Sequence, residues 1–292
     1  MGALSGKAVV ITGAGQGIGA ATARNVAKRG AQVVVNDISQ KHADSVVAEI
    51  KAAGGEAVAD YSNIATWAGA EQLINQCVKS FGKIDGLVTN AGVITPDRID
   101  EAKESDIRRM VEVNIFGTAF PVSHAAKQMI KQRSGSIVCV GSGSSMGSPT
   151  LSTYAATKGA VASYVYSWAA ELAEFGIRVN SLLPNAATSM RTINDAYRNS
   201  HNMGAHFTPV VPPEANTPVV EYLLSDESKG VNGQQLKITG NDFCLATHPA
   251  NLHPVVKRDQ WTMEAIAELF RTDLAKRQLP LGPATIKVEV IS

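Results

Sequence analysis

Tyr154 and Lys158 form the first pair of residues whose types and spacing indicate chemistry. They stand four positions apart in a stretch with helical periodicity, so their side chains share one helix face. A phenol has an ordinary pKa of about 10 and is a poor base at neutral pH, but a neighbouring ammonium group stabilises the phenolate. The pair is therefore predicted to exchange a proton with a bound oxygen atom.

Two polar side chains upstream are candidates to complete this site. Ser142 follows a strand-like run that ends at Val140, and its hydroxyl would hydrogen-bond a substrate oxygen, with Ser144 as the alternative. Asn114 lies in a long predicted helix, where its amide would hold a water that links the lysine to solvent. Each residue alone also fits an ordinary role, as a turn serine or a buried amide. Their combination is what indicates catalysis.

A glycine-rich segment, TGAGQGIGA, runs from Thr12 to Ala20 between the first predicted strand and the first predicted helix. Glycines there let the backbone approach a pyrophosphate, and free amides at the helix N-terminus attract its negative charge. The strict pattern G-x-G-x-x-G is not met from Gly13, because Ile18 takes the place of the third glycine. The segment predicts a dinucleotide site, with a glycine-rich turn that binds no cofactor as the alternative.

Asp37 closes the second predicted strand, eighteen residues after Gly19. A carboxylate at this position can accept hydrogen bonds from both hydroxyls of an adenosine ribose, and it repels a 2′-phosphate. Ile38 follows, so no basic side chain at that position offsets the repulsion. The pattern predicts NAD rather than NADP as the cofactor. A simple turn-forming role for Asp37 is the alternative.

The elements that position these residues alternate along the first half of the chain, as is typical of parallel strands joined by crossover helices. Strands are predicted at Ala8 to Thr12, Gln32 to Asn36, Ala57 to Asp60, Leu87 to Asn90, Ser136 to Val140 and Ile177 to Leu183. Helices are predicted at Ile18 to Arg29, Lys41 to Ala53, Thr66 to Phe81, Ser105 to Lys131 and Thr153 to Phe175. The predicted fold class is α/β, a single-domain, Rossmann-type, doubly wound parallel sheet with an extended C-terminal tail.

Residues 185–218 mix apolar residues with four prolines and predict an irregular connection. Its position after the carboxyl end of a strand favours a substrate loop or lid over a plain solvent loop. A helix from Pro218 to Leu224 and a last strand near Gln234 to Ile238 would then close a domain of residues 1–240.

Residues 241–292 are expected to form a C-terminal extension, packed on the domain or on a neighbouring subunit. It contains a predicted helix from Met263 to Lys276 and a strand-like end, IKVEVIS, at residues 286–292. Its role does not follow from these patterns.

The composition restricts the function classes. Of the 292 residues, 45% are hydrophobic and 18% are charged, as in a folded globular protein. The 27 Lys and Arg residues nearly balance 26 Asp and Glu residues, so the net charge of +1 offers no field to attract a nucleic acid or an anionic membrane. We expect small-molecule chemistry.

Three cysteines, an odd number without paired spacing, suit a reducing compartment and are expected to fill the core: Cys77, Cys139 and Cys244. Four histidines are spaced five apart in two pairs but lack a carboxylate-bearing helical motif, so no metal site is expected: His201, His206, His248 and His253. The N-terminal segment has no signal-peptide pattern, and no apolar stretch approaches the ~20 residues that span a bilayer. A cytoplasmic protein is expected.

Taken in order, the motifs resemble those of the short-chain dehydrogenase/reductase family. The matching pieces are Thr12-Gly13-x3-Gly17-Ile18-Gly19, Asp60, Thr89-Asn90-Ala91-Gly92, Asn114, Ser142 and Tyr154-x3-Lys158. The resemblance covers residues 4–240. It implies hydride transfer between a secondary alcohol, or its ketone, and the nicotinamide of NAD.

By this resemblance, Tyr154 is the general acid/base and Lys158 orients the nicotinamide ribose and lowers the pKa of the tyrosine. Ser142 positions the carbonyl, and Asn114 supports a proton relay. Asp60 would contact the adenine, Asn90 the ribose region and Thr188 the carboxamide. The implied cofactor-binding residues are Gly13, Gln16, Gly17, Ile18, Gly19, Asp37, Asp60, Asn90, Gly92, Tyr154, Lys158, Pro184 and Thr188.

Two departures from the family pattern affect how the family's residue roles are assigned to this chain. The family's serine usually stands thirteen residues before the tyrosine, where this chain has Gly141, so Ser142 implies a loop shorter by one residue. The usual Pro-Gly after the sixth strand is here Pro184-Asn185-Ala186. That change leaves both Thr188 and Ser189 as candidates for the carboxamide contact.

Substrate residues are predicted from the apolar and hydroxyl side chains near the site: Ser144, Met190, Tyr197 and Phe207. They favour a bulky or apolar alcohol or ketone. The Pro184-Asn185-Ala186 turn and Asp97-Arg98 also resemble the hydroxyacyl-CoA dehydrogenase domain of peroxisomal multifunctional enzymes, also called type 4 17β-hydroxysteroid dehydrogenase, so 3-hydroxyacyl-CoA is an alternative substrate.

A homodimer or homotetramer is expected from the resemblance. The alternative from another class is a non-catalytic dinucleotide-binding regulatory protein. Such a protein has no chemical need for Asn114, Ser142, Tyr154 and Lys158 together.

Overall fold

The first unit of the chain is built around one mixed sheet. A computed structural model describes residues 2–204, 211–249, 251 and 255–279, which divide into two units, 1–246 and 247–292. The strands described are β1 (Ala8–Thr12), β2 (Gln32–Asn36), β3 (Glu56–Asp60), β4 (Gly86–Thr89), β5 (Gly135–Val140), β6 (Ile177–Leu183), β7 (Gln235–Thr239) and β8 (Asp242–Ala246). Their order in the sheet is β3-β2-β1-β4-β5-β6-β7-β8.

Helices connect and cover these strands. The helices described are α1 (Gly17–Lys28), α2 (Gln40–Ala52), α3 (Trp67–Phe81), α4 (Glu104–Val111), α5 (Gly117–Gln132), α6 (Ser152–Leu172), α7 (Ser189–Ser200), α8 (Thr217–Leu224) and α9 (Met263–Thr272). A π-helical segment, Glu112–Phe116, joins α4 to α5. Among the described residues, no helix combines the length and the apolar character needed to cross a membrane.

The central strands form because both of their faces are buried. Val9 and Ile11 of β1 face a core shared with α1, α2 and α8, whereas Ala8 and Val10 face a core shared with α3, α5 and α6. Side chains alternate between the two faces of a strand, so a strand covered on both faces is apolar throughout. The predicted doubly wound sheet is confirmed.

The seven strands from β1 to β7 run parallel, and only β8, among the strands described, pairs antiparallel. Their carboxyl ends therefore meet at one edge of the sheet. The strand order reverses between β1 and β4, which opens a crevice at that edge where ligands of such folds bind. Thr12, Thr89 and Val140 end strands on the two sides of this crevice.

Several sequence-based expectations are corrected. The helix predicted from Ser105 to Lys131 is interrupted by the π-helical segment, and the irregular connection predicted for 185–218 contains the helix α7. The strand near Gln234 is not the last one, because Gly240 (φ 60°) and Asn241 turn the chain back into β8. A two-residue turn with a left-handed glycine suits an antiparallel hairpin.

The cysteines are free in the described residues, and Cys77 and Cys139 fill the core as expected. Cys244 lies exposed on β8, so the core role expected for it is wrong. In the second unit, the helix predicted from Met263 to Lys276 ends as α9 at Thr272 and is followed by a 3₁₀ turn. Residues 286–292 lie outside the described part of the chain.

Candidate active site

The glycine segment forms a tight loop between β1 and α1, in front of the helix N-terminus. Gly13 (φ 59°) and Gly17 (φ 56°) have left-handed backbone conformations that favour glycine. A Cβ atom on Gly13 would lie 2.7 Å from the Ala91 Cα, and one on Gly19 would lie 2.3 Å from the Gly13 carbonyl oxygen. The loop therefore requires glycines at these positions.

Asn90 holds this loop from the end of β4. Its Nδ2 donates hydrogen bonds to the carbonyl oxygens of Thr12 and Gly13, each at 3.0 Å. The backbone amides of Asn90 and Ala91 both donate to Thr12 Oγ1. The bracing role of Thr12 was not singled out from the sequence, although the residue opens the glycine motif.

Asp37 lies half-buried at the carboxyl end of β2, beside the glycine loop. Its Oδ2 accepts a hydrogen bond from the Gly15 amide at 3.0 Å, and its Oδ1 accepts one from the Ser39 amide at 2.9 Å. Ile38 is 77% exposed and contributes no positive charge. These amides fix the carboxylate at the rim of the loop.

Asp60 is buried at the end of β3, in the next strand. Its Oδ1 accepts hydrogen bonds from Asn36 Nδ2 at 2.8 Å and from the Ser62 amide at 2.9 Å. These bonds tie the ends of β2 and β3 together on the Asp37 side of the crevice.

Tyr154 is buried in the first turn of α6. Burial raises its pKa, and a hydrogen bond with the Ser142 side chain acts in the opposite direction. Ser142 Oγ also accepts a hydrogen bond from the backbone amide of Ser144 at 3.1 Å. The structure thus places Ser142 against the phenol, whereas Ser144 contributes its amide to the same turn.

Lys158 follows one turn later on the same helix face, as its spacing predicts. Its ammonium group donates a hydrogen bond to the Val140 carbonyl oxygen at 2.7 Å and lies 5.9 Å from the centroid of the Tyr154 ring. Burial lowers the pKa of Lys158 to about 8. Burial of the phenol raises the pKa of Tyr154, which is opposite to the lowering by Lys158 that the sequence led us to expect.

Asn114 is fully buried in the π-helical segment and faces α6. Its Oδ1 accepts a hydrogen bond from the Val93 amide at 2.8 Å, and its Nδ2 donates to the Val93 carbonyl and to Thr157 Oγ1, each at 3.0 Å. Thr157 Oγ1 donates in turn to the Tyr154 carbonyl at 2.7 Å. Thr157 was not recognised from the sequence, although it directly precedes Lys158.

Three side chains of the site surround the space that a side chain at position 92 would fill. A Cβ atom at Gly92 would lie 3.3 Å from Asn114 Oδ1, 3.4 Å from Met190 Cε and 3.7 Å from Lys158 Nζ. Because Gly92 has no side chain, there is room between the catalytic candidates and α7.

An apolar cluster of side chains adjoins the phenol. Ile94, Met110, Leu151 and Tyr154 form a buried cluster, and Met190 at the start of α7 packs against it. Met190 is therefore brought next to the phenol. Of the other substrate candidates, Ser144 lies in the turn after Ser142 and Tyr197 lies two turns farther along α7. Phe207 falls outside the described residues.

The turn after β6 is held by a residue that the sequence did not reveal. Asn216 Oδ1 accepts a hydrogen bond from the Asn185 amide at 3.2 Å, and Asn216 Nδ2 donates to the Asn185 carbonyl at 3.0 Å. This clamp follows Pro184 and directs the chain into α7. Thr188 caps that helix, and its Cγ2 lies 3.6 Å from the position of a Cβ on Gly17, whereas Ser189 is exposed.

Two further cofactor candidates lie within the glycine segment. Gln16 precedes α1 in an extended conformation and is exposed, and Ile18 is half-buried in the first turn of the helix.

Within the described part of the chain, no group of three or more His, Cys, Asp or Glu side chains is placed to hold a metal ion. His201 instead stacks on Tyr197, with 4.1 Å between the ring centroids.

Comparison with known proteins decides the family. The family model described as short chain dehydrogenase matches residues 7–198, which include the glycine loop, the Asn-Ala-Gly segment and the Tyr-x3-Lys pair. The chain belongs to the short-chain dehydrogenase family. The resemblance identified from the motifs is confirmed, and the protein is an oxidoreductase.

Relatives of this short-chain dehydrogenase agree with that assignment. It is 39% identical, over 63% of this chain and 73% of the relative, to an uncharacterized oxidoreductase of Thermotoga maritima. It is 35% identical to a 3-oxoacyl-acyl-carrier-protein reductase of the same organism, over 81% of this chain and 98% of that enzyme. A crystal structure of a short chain dehydrogenase from Mycobacterium avium superposes with a TM-score of 0.84 and 32% identity, over 97% of this chain and 99% of the other.

Proposed function

We propose that this protein is an NAD-dependent oxidoreductase that interconverts a secondary alcohol and its ketone, with Tyr154 as general acid/base. The observation that carries the proposal is the buried phenol of Tyr154, hydrogen-bonded to Ser142 and one helical turn from Lys158, at the carboxyl edge of the sheet. Buried titratable groups with shifted pKa values beside a crevice are typical of catalytic sites.

The crevice fits a dinucleotide. The glycine loop has no side chains where a pyrophosphate would approach, and the N-terminal amides of α1 face the same space. Gly13, Gly17 and Gly19 would hold the phosphates, with Asp37 on the adenosine ribose. The bound nicotinamide would supply the hydride acceptor or donor.

Asp37 supports NAD over NADP. Its carboxylate is held by two backbone amides at the end of β2, where by our proposal it would face the adenosine ribose of the cofactor. A 2′-phosphate there would be repelled by the carboxylate, and the exposed Ile38 offers no compensating charge.

The proton is handled by side chains of α6 and of the turn after β5. In the oxidative direction, Tyr154 takes the hydroxyl proton while Ser142 donates a hydrogen bond to the substrate oxygen. The Lys158 ammonium favours the phenolate and, by our proposal, contacts the nicotinamide ribose. Asn114 Oδ1 and Lys158 Nζ both face the space at Gly92, where a relay of protons toward solvent would begin.

The carboxamide contact is assigned to Thr188 in this proposal. Thr188 lies next to Gly17 of the loop and is half-buried, whereas Ser189 is exposed in the first turn of α7. The Asn185–Asn216 clamp holds the chain just before Thr188 and so positions it.

The apolar cluster beside the phenol supports a substrate with a bulky or apolar body next to the carbinol carbon. Ile94, Met110, Leu151 and Met190 offer no charge to a polar substrate at this point. A 3-oxoacyl or 3-hydroxyacyl thioester is the second candidate, favoured by the similarity to the 3-oxoacyl-acyl-carrier-protein reductase of Thermotoga maritima. Such a substrate presents a ketone in its 3-oxo form, or a secondary carbinol in its 3-hydroxy form, to Tyr154.

We also propose a homodimer or homotetramer. Trp67 on α3 and Phe116 at the end of the π-helical segment are both partly exposed. Each contacts the Phe120 ring of α5, at 5.3 Å and 5.2 Å between centroids. Exposed aromatic residues grouped in this way are typical of interfaces. Light scattering on the purified protein will report the mass.

The test of the proposed activity is a panel of secondary alcohols and ketones, including a 3-oxobutyryl thioester, assayed by nicotinamide absorbance with NAD and with NADP. We expect turnover of apolar secondary alcohols and a lower KM for NAD. Absence of turnover for every alcohol, ketone and thioester with both cofactors would contradict the proposed function.

A further inference from the structure

The outer edge of β8 is not covered by any other strand of the described part of the chain. β8 pairs with β7 on one side, and the order of strands in the sheet ends there. The N–H and C=O groups on the free side of an edge strand form a template for a further strand. A folded protein therefore either blocks such an edge or closes it with a partner.

The hairpin geometry determines which residues of β8 present these backbone groups. A two-residue turn joins Thr239 to Asp242, which close the hairpin as a hydrogen-bonded pair. Hydrogen bonding alternates along an antiparallel pair, so every second residue of β8, starting from Asp242, bonds to β7. The two residues between them, Phe243 and Leu245, direct their N–H and C=O groups to the free edge.

The side chains of these two residues extend an apolar face of the sheet. Phe243 pairs with Ile238 across the hairpin. Leu245 pairs with Leu236, so the side chains of both pairs lie on the same face. Leu236 is buried in the core on that face and Ile238 packs against this core. Phe243 is 57% exposed and Leu245 58%, so the apolar surface continues past the covered core onto β8.

β8 has none of the features that keep an edge strand unpaired. Natural edge strands are protected by lysine, proline, an inward-pointing charge or a bulge. The strand reads Asp-Phe-Cys-Leu-Ala, and its pairing with β7 is continuous from Asp242 to Ala246, without a bulge. Its one charge, on Asp242, stands at the end of the strand. Nothing within β8 therefore opposes pairing along its free edge.

β8 is self-complementary about its central residue, Cys244. When two copies pair antiparallel with Cys244 at a twofold axis, each Phe243 lies opposite a Leu245 of the other copy. The outward backbone groups of these residues then bond to each other. Asp242 lies opposite Ala246, so the two carboxylates are roughly 14 Å apart. The net charge of +1 adds no long-range repulsion between copies.

We propose that the free edge of β8 is an interface with a second copy of this chain, in which the two β8 strands pair antiparallel about Cys244. The eight-stranded sheets of the two subunits then become one continuous sheet.

This contact is additional to the aromatic surface of Trp67 and Phe116. Two strands of five residues bury less area than a stable dimer usually needs, so the β8 pair is expected to join units that the aromatic surface also holds. Two different twofold interfaces on one subunit build a tetramer. The inference goes beyond the proposed activity and does not depend on it.

Cys244 tests the pairing and its register directly. At the axis the two Cys244 residues form a non-hydrogen-bonded pair with Cα atoms about 4.5 Å apart, within the range of a disulfide. Copper–phenanthroline removes two electrons and two protons from such a thiol pair, so it should convert most of the wild-type protein into a covalent dimer at micromolar concentration. Cys77 and Cys139 are buried and do not compete. Absence of a covalent dimer would overturn the inference.

The matched control moves the exposed thiol by two residues, with Asp242→Cys combined with Cys244→Ser. Position 242 is also exposed, but its two copies would lie too far apart for a disulfide. This variant should cross-link at least about tenfold more slowly than the wild-type protein. Equal rates at the two positions would show random collision of exposed thiols and would also overturn the inference.

A second test measures the mass in solution without any cross-link. Phe243→Lys combined with Leu245→Lys places like charges opposite each other in the proposed pair, whereas on an unpaired edge both lysines stay in solvent. Light scattering should give about half of the wild-type mass at the same protein concentration, with an unchanged circular dichroism spectrum.

The control for added charge is Ile38→Lys combined with Ile99→Lys, two positions that are 77% and 78% exposed, and its mass should equal that of the wild-type protein. Equal mass for the β8 variant and the wild-type protein would overturn the inference. The edge would then be free, or held by an extended peptide or another segment of the chain. Because Cys244 lies only on β8, its cross-linking reports on this interface separately from the aromatic surface.

Discussion

Asn114 Nδ2 donates a hydrogen bond to Thr157 Oγ1 at 3.0 Å, which ties the π-helical segment to the helix that carries Tyr154. The Thr157 hydroxyl in turn donates a hydrogen bond to the Tyr154 carbonyl oxygen at 2.7 Å. Asn114 and Thr157 are both buried, so water does not replace either bond. The Thr157 hydroxyl thereby couples the position of Tyr154, the proposed proton-transfer residue, to that of Asn114, the proposed relay residue.

Replacing Thr157 with Val keeps the shape of the side chain and removes the hydroxyl. The Asn114 amide and the Tyr154 carbonyl then lose a partner, so the free energy of unfolding should fall by about 1–3 kcal/mol. Displacement of the site should lower kcat by roughly tenfold or more. Urea denaturation and steady-state kinetics measure the two effects.

Thr157→Ser retains the hydroxyl and is the matched control, which should recover most of the lost kcat. If the Ser and Val variants show the same kcat, the hydroxyl does not position the site. A fall in stability alone, with kcat unchanged in Thr157→Val, would limit Thr157 to a structural role.

Lys158 predicts a pH dependence of stability. Burial lowers its pKa in the folded protein from 10.5 to about 8, so between these values the unfolded chain binds a proton that the folded chain has released. Stability contributed by this group therefore increases as the pH rises through that window. Relative to Lys158→Met, the wild-type free energy of unfolding should increase by about 2 kcal/mol between roughly pH 8 and 10. Parallel urea curves for the two proteins would show that the ammonium is not desolvated.

Asp37 predicts the cofactor preference. Asp37→Ser combined with Ile38→Arg removes the repulsive carboxylate and adds a cation, so kcat/KM for NADP should rise and that for NAD should fall, each by about tenfold. Asp37→Asn is the control, because its side-chain oxygen can still accept a hydrogen bond from the Gly15 amide. A wild-type protein that already prefers NADP would refute the assignment of Asp37.

A substitution at Gly92 is expected to lower activity without unfolding the protein. In Gly92→Ala the new methyl group would lie 3.3 Å from Asn114 Oδ1, a tight contact, and within 4 Å of Lys158 Nζ. We expect a folded protein with kcat reduced by roughly tenfold to a hundredfold. Gly159→Ala is the control, because its methyl group meets nothing within 4 Å and its position on α6 adjoins Lys158. Equal kcat in both variants would show that the space above Gly92 is not part of the site.

The central strands were predictable because burial on both faces imposes an apolar run with sharp ends. The bounds of β1, β2 and β6 were predicted to the residue. The helix α7 was missed, since its polar composition and the prolines farther along the same connection outweighed the helical spacing of Met190, Ile193 and Tyr197. The turn at Gly240 and Asn241 was the signal that could have revealed β8.

The arrangement of the site was predictable where short helical spacing suffices, as for Tyr154 and Lys158 on one face of α6. The contacts that join segments distant in sequence were not predictable. Thr157 is forty-three residues from Asn114, and no periodicity relates them. The raised pKa of Tyr154 is also a property of burial, which the pairing with Lys158 alone does not reveal.

The most direct test of the proposed activity is Tyr154→Phe, measured as kcat with the best alcohol of the panel alongside the dissociation constant of NAD. Loss of the phenol hydroxyl should lower kcat by about a hundredfold or more, while NAD affinity stays within about twofold. Tyr164→Phe is the matched control, because Tyr164 lies on the same helix and stacks on Trp168 at 4.3 Å between centroids. The account predicts full activity for Tyr164→Phe and almost none for Tyr154→Phe, and a Tyr154→Phe protein that retains near-wild-type kcat would contradict it.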